Sequence, residues 1–243
     1  MNTINNWVSQ QTNNKIPSII DKINSEMVMY LMNAVYFKGD WKYPFDKSNT
    51  APAKFNIDAT HQVDADFMHV QKASINSFVN STVSVHELPY GNEKYSMVIV
   101  MPRQPEVALN DLINDLDANK WQAWMNGLNT HNAYFIMPKF KFSYTITLNN
   151  ALSNLGMGIA LSRAADFTKI NADGGLNISE VKQKTFIEVD EKGTEAAAVT
   201  SVGIEVTSMP APLHVDRPFL FAIREMKTGL ILFTGAVHNP NFN

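Results

Sequence analysis

The chain has 243 residues, 45% of them hydrophobic, which is enough to bury a substantial core and too apolar for a disordered protein. Its 20 basic and 23 acidic residues are dispersed, which excludes the basic stripe that a nucleic-acid partner needs. The absence of cysteine removes disulfides, thiolate metal sites and a cysteine nucleophile together.

The N-terminal stretch MNTINNWVSQQ has no charged segment followed by an apolar block, so it does not read as a signal peptide. Its spacing predicts a helix with Ile4, Trp7 and Val8 on one face, ended by the polar break TNN. The longest apolar run, Met27 to Phe37, is interrupted by Asn33 and falls short of the ~20 residues of a membrane span. Apolar on both faces, it predicts a central strand covered on two sides. VSVHELPYGNEKYSMVIVMP predicts two strands joined by a tight turn at Tyr90, Gly91 and Asn92. LNDLINDLDANKWQAWMNGL has helical spacing, with Leu109, Leu112, Ile113, Leu116, Trp121 and Trp124 turned inward. A strand NAYFIMPKFKFSY follows, then a helix TLNNALSNLGM with Gly156 as its stop. TFIEV, RPFLFAIRE and GLILFTGAVHNP are the closing strands, and no repeat or linker divides residues 1–243.

Catalytic signals are missing. The six histidines, at positions 61, 69, 86, 131, 214 and 238, form no metal-ligand spacing. There is no nucleophile elbow or Walker loop, and LGMGIA follows a helix where a dinucleotide fingerprint must follow a strand. Asp64 and Asp66 share a strand face and read as solvated, and the sequons at Asn80 and Asn177 matter only in a eukaryotic secretory pathway. The expectation is a protein that is not an enzyme and carries no cofactor or metal; a hydrolase stands as a distant alternative.

The segment after TFIEV is unlike the others. From Thr194 to Thr207 the even positions are Thr194, Ala196, Ala198, Thr200, Val202, Ile204 and Val206, while the odd positions hold both acids, Glu195 and Glu205. One small apolar face is thus maintained for 14 residues, about 46 Å of extended chain at ~3.3 Å each. No turn signal returns it to a neighbour before Pro210. Two readings fit: a permanent long strand, or a segment solvated at first that later slides between existing strands. Alanine and glycine are poor permanent strand formers, which favours the second.

EKGTEAAAVT, from Glu191 to Thr200, resembles the proximal hinge of the reactive loop in serpins. LMNAVYFKGDWKYPF is similar to the third strand of that family's sheet A, and MPKFKFSYTITLNNALSNLGM to its sixth strand and following helix. RPFLFAIRE, GLILFTGAVHNP and ELPYGNEKYSMVIVMP resemble strands of sheets B and C. The likeness runs along the whole chain. It implies an α+β serpin fold, of which this chain is the C-terminal two-thirds: a large mixed sheet A, sheets B and C, flanking helices and an exposed reactive loop at about 191–212. The early helices and first strands are absent, so the resemblance implies a single, incomplete domain that the missing N-terminal portion or another chain completes.

The function implied is suicide inhibition of a serine protease. Counting along the family's loop length places the scissile bond at Thr207-Ser208, with slippage to Val206-Thr207 left open. A small β-branched residue there suits an elastase-like or subtilisin-like target. The implied hinge is Glu191, Gly193, Thr194, Glu195, Ala196, Ala197 and Ala198, of which Thr194, Ala196, Ala197 and Ala198 would admit insertion. Glu191 is expected to pair with Lys139 near Trp41 at the breach, and Asn33 to lie buried beneath the sheet centre beside Gln183 at the shutter. A non-inhibitory serpin-fold binding protein, or a truncated serpin that is only cleaved, is the alternative. The family implies an extracellular or periplasmic location, and the Asn-rich, Cys-free composition suits a bacterial source.

Overall fold

A computed structural model describes residues 1–23, 27–194 and 212–241. In chain order these form α1 (Asn2–Gln11), β1 (Tyr30–Tyr36), β2 (Gly39–Asp40), β3 (Ala51–Asn56), β4 (Gln62–Val79), β5 (Val83–Pro89) and β6 (Tyr95–Pro102). There follow α2 (Leu109–Asn114), α3 (Ala118–Asn126), β7 (Asn129–Pro138), β8 (Phe140–Thr147), α4 (Asn149–Leu152), β9 (Glu180–Val189), β10 (Gly193–Thr194), β11 (Leu213–His214), β12 (Phe219–Glu225) and β13 (Ile231–Val237). They divide into two compact units, Met1–Phe37 with Phe142–Ile187, and Lys38–Lys141 with Glu188–Asn243.

The first unit is built on a three-stranded sheet in the order β1-β9-β8. β1 and β9 run parallel in unbroken register from Tyr30 opposite Glu180 to Tyr36 opposite Phe186. One face is covered: Val8 of α1 and Ile16, Ile19 and Ile20 from its exit pack with Met32, Ala34, Tyr36 and Phe186. The TNN break works as a local device. Thr12 donates its hydroxyl to Val8 O at 2.8 Å and accepts from Ile16 N at 3.1 Å, while Asn13 and Asn14 take left-handed φ of 48° and 62°. Two sequence expectations fail here. Trp7 is 58% exposed, because the buried stripe of α1 is narrower than the spacing implied. Among the described residues β1 is covered on one side, since Leu31 and Asn33 on its other face are exposed.

The second unit holds an eight-stranded sheet in the order β11-β7-β4-β5-β6-β12-β13, with β3 paired to β4. β4 pairs with β3 through its first half and with β5 near its end; a register shift against β7 between Val70 and Ala73 bends it between the two. The inward residues expected of the long helical segment do pack, as Leu109, Leu112, Ile113, Leu116, Trp121 and Trp124 meet Val83, Val85, Val98 and Val100. The segment is two helices, however. Asp117 accepts from Lys120 N at 2.8 Å and so starts α3 afresh. Gly127 ends that helix where a Cβ would come within 2.6 Å of the Phe78 ring. Gly156, with φ of 102°, turns the chain just beyond the short α4.

A polar network crosses five strands of this sheet. Thr130 donates to Asn76 at 2.6 Å, and Asn76 donates to Glu87 at 2.8 Å. Glu87, 1% exposed, also accepts from Ser96 at 2.7 Å and from the Arg224 guanidinium. A buried carboxylate is tolerable there because the ion pair and neutral donors replace its water. On the opposite strand face His86 is 3% exposed, bonded through Nδ1 to Ser77 at 2.9 Å and edge-on to Phe135. Burial, aided by the nearby His131, pushes its pKa down from 6.5 to about 4.

Because the unfolded chain takes up this proton near pH 6.5 and the fold resists it to about 4, the stability due to neutral His86 is complete above pH 6.5. It is lost as pH falls from 6.5 to about 4, by on the order of 3 kcal/mol at ~1.4 kcal/mol per unit. Urea unfolding at pH 7.5 and 4.5 will show this loss, and His86→Gln, which cannot titrate, will reduce the difference.

Candidate functional site

Beyond Val189 the chain makes a two-residue hairpin. Asp190 N donates to Gly193 O at 3.0 Å and Gly193 N donates back to Asp190 O at 3.2 Å, leaving Glu191 and Lys192 at the tip. Gly193 and Thr194 then pair antiparallel with Asp40 and Gly39 of β2. The strand-like run therefore does meet a neighbour at its very start, which the sequence did not suggest. Glycine is required at 193: φ is 145°, and a Cβ would overlap the Gly39 carbonyl and lie 2.7 Å from Asp40 Cα and 2.8 Å from Trp41 N.

The tip is held from three directions. The Glu191 residue is 5% exposed, and its carboxylate accepts from the Thr50 hydroxyl at 2.8 Å and Lys139 Nζ at 3.1 Å. Its carbonyl accepts from Phe45 N at 2.8 Å. Trp41 grips the flanking residues, donating Nε1 to Asp190 O at 3.0 Å and its backbone N–H to Lys192 O at 2.9 Å. The indole is 3% exposed, stacked on Tyr90 at 4.6 Å and 7° with Phe45 edge-on at 6.0 Å. Burial pushes the Glu191 carboxyl up, but the hydrogen bonds from its own N–H, Thr50 and Lys139, together with the Lys139 charge, outweigh it and hold the group below the usual carboxylate range.

Glu191, Lys139 and Trp41 thus converge on one turn. Sequence reasoning missed Thr50, Phe45, Tyr90 and Asp190. Only Asp190 left a signal, an Asp two and three residues before the backbone N–H groups of Lys192 and Gly193. In the other unit Asn33 stands opposite Gln183 across β1 and β9. Among the described residues Asn33 is exposed on the face of β1 away from α1, and Gln183 donates to Thr185 at 3.3 Å. Glu195, Ala196, Ala197, Ala198, Thr207 and Ser208 lie outside the described residues. Among the described residues no group of three or more His, Asp or Glu side chains is placed to hold a metal, and no helix is long and apolar enough to cross a membrane.

The family profile described as serpin (serine protease inhibitor) matches residues 1–240. The chain is 37% identical to Iripin-3 of Ixodes ricinus over 98% of its own length and 62% of that protein's. It is 34% identical to the Protein Z-dependent protease inhibitor of Homo sapiens, again over 98% of this chain but 53% of the relative. Among solved structures, the thermophilic serpin tengpin in its native state superposes with a TM-score of 0.85 at 36% identity, covering 98% of this chain and 62% of that one. Thyroxine-binding globulin in complex with thyroxine gives 0.86 at 31% identity, with coverage of 98% and 64%. The chain therefore spans between about half and two-thirds of the length of these relatives.

Lys139→Ala removes one donor and the charge facing Glu191. It is expected to lower unfolding stability by about 1–2 kcal/mol, the partial exposure of Lys139 trimming the effect. The Glu191 carboxylate contributes stability above its unfolded pKa and loses it as pH falls through the lowered folded value. Without Lys139 the folded value moves back toward the unfolded one, so the acid-dependent loss of stability is smaller in the variant and is complete at a higher pH.

Proposed function

This chain belongs to the serpin family, and we propose that it works as part of a suicide-substrate inhibitor of serine proteases. The observation that carries this reading is the direction of β10. β1 and β9 are parallel, and a strand entering between them from the end of β9 must run antiparallel to both, as Gly193 and Thr194 already run against β2. In the proposed mechanism a protease attacks the Thr207-Ser208 peptide bond. Its serine takes the Thr207 acyl group and the Ser208 amine departs. Residues 194–207 then zip into the sheet as a new strand before water reaches the ester.

Each added ladder bond contributes a net ~0.5–1.5 kcal/mol, so 14 residues release on the order of 10 kcal/mol. The even positions Ala196, Ala198, Val202 and Ile204 supply a small apolar face for burial, and Thr207 suits the primary pocket of an elastase-like or subtilisin-like protease. No step uses a catalytic group of this chain. An extracellular or periplasmic setting belongs to the same proposal and rests on membership of a family that is generally, though not always, extracellular. β1 and β13 are outer strands among the described residues, and Leu31, Leu230, Ile231 and Leu232 are exposed on or beside them. Such apolar edges support the proposal that a further, N-terminal portion or another chain covers them.

The chain, alone and with an N-terminal portion restored, is to be mixed with elastase-like, subtilisin-like and trypsin-like proteases and run on a denaturing gel. A covalent band with the first two and not the third is expected, and Ala196→Pro should convert the protein to a cleaved substrate without that band. Cleavage with no covalent band from either form would favour a non-inhibitory binding protein, as the relative thyroxine-binding globulin carries thyroxine.

A further inference from the structure

The turn that starts the loop has a side chain that none of the roles above employs. Asp190 directs Oδ1 at two successive backbone N–H groups, Lys192 at 2.9 Å and Gly193 at 3.3 Å. This is an Asx-type arrangement, in which a carboxylate mimics a carbonyl and fixes the next two peptides. The same residue's backbone closes the hairpin to Gly193 in both directions, and its carbonyl receives the Trp41 indole. Glu191 faces Thr50 and Lys139, so its anchor is separate from the Asp190 contacts.

We propose that Asp190 is a positioning residue for loop insertion: its carboxylate sets the hairpin so that Gly193 leaves already aligned with β2. The reasoning is geometric. Gly193 has no side chain to restrict it, and its φ of 145° is one of several values open to glycine. Something must select that value in the free loop. The Glu191 anchor holds the tip but does not bond to the Gly193 amide, whereas Asp190 does so through both its backbone carbonyl and its side chain. With the Asp190 acceptor absent, Gly193 samples other conformations, the first rung against β2 opens, and insertion starts later. In a suicide inhibitor, delay at that step lets water hydrolyse the acyl-enzyme. The role rests on the inhibitory reading, while the turn itself does not.

Two measurements separate the two. In hydrogen–deuterium exchange of the intact chain, Asp190→Ala is expected to speed exchange of the Lys192 and Gly193 amides by roughly tenfold, the loss of a bond to a charged acceptor. β5 and β6 should be unchanged, which excludes global unfolding. Asp190→Asn keeps an acceptor oxygen and should stay within about threefold of the parent. In protease mixtures that yield the covalent complex, Asp190→Ala should raise the moles of inhibitor consumed per mole of protease trapped, and Asp190→Asn should restore the parent value. Unchanged exchange in Asp190→Ala, or equal damage from Asn and Ala, overturns the proposal. Normal exchange effects with no complex from any form would leave the turn assignment standing and sink the inhibitory reading instead.

Discussion

A carboxylate removed from water must be given donors in its place, and the turn after β9 is organised around meeting that requirement at Glu191. Thr50 and Lys139 reach its oxygens, and Phe45 binds its carbonyl. Because these partners come from separate parts of the chain, the carboxylate fixes where the hairpin tip lies, and Trp41 can then close on the carbonyls either side of it. That anchorage places the tip, and Gly193, bonded to Asp190, is paired with Asp40 of β2.

The anchor is asymmetric in a way that suits a device with two states. Asp190, Glu191 and Lys192 are tied by contacts to Trp41, Phe45, Thr50 and Lys139, and Gly193 and Thr194 are paired through their backbone to β2. Backbone pairs can be extended one residue at a time with little dependence on side-chain identity, provided that residues are small enough to enter. Thr194, Ala196 and Ala198 meet that condition, and bulky or proline residues at these positions would not. A rigid root with a repeatable continuation is what a loop needs if it is to become a strand without disturbing its own point of attachment.

Much of this was legible in the sequence. The β5–β6 hairpin, the inward residues of α2 and α3 and the turn at Gly156 follow from local periodicity and glycine chemistry, which is why they emerge as the patterns suggest. What escaped depends on distant partners. Thr50 has no motif that points to Glu191 some 140 residues away, and the Asn76–Glu87–Arg224 network reads in sequence as ordinary strand polar residues. Trp7 differs the other way: its apolar ring predicts a cover that the described residues do not provide. The hairpin at Asp190 was hidden because its turn residues, Glu191 and Lys192, are poor turn formers held there by tertiary contacts rather than by their own preference.

The central claim is that the segment after Gly193 has a second, more stable place as a strand. Thermal unfolding of the chain, alone and with an N-terminal portion added, before and after a single cut in the loop, tests it most directly. If the cut loop enters the sheet, the melting temperature rises by on the order of 20 °C or more, in keeping with ~10 kcal/mol of added ladder bonds. A melting temperature that stays the same or falls after clean cleavage would contradict the account.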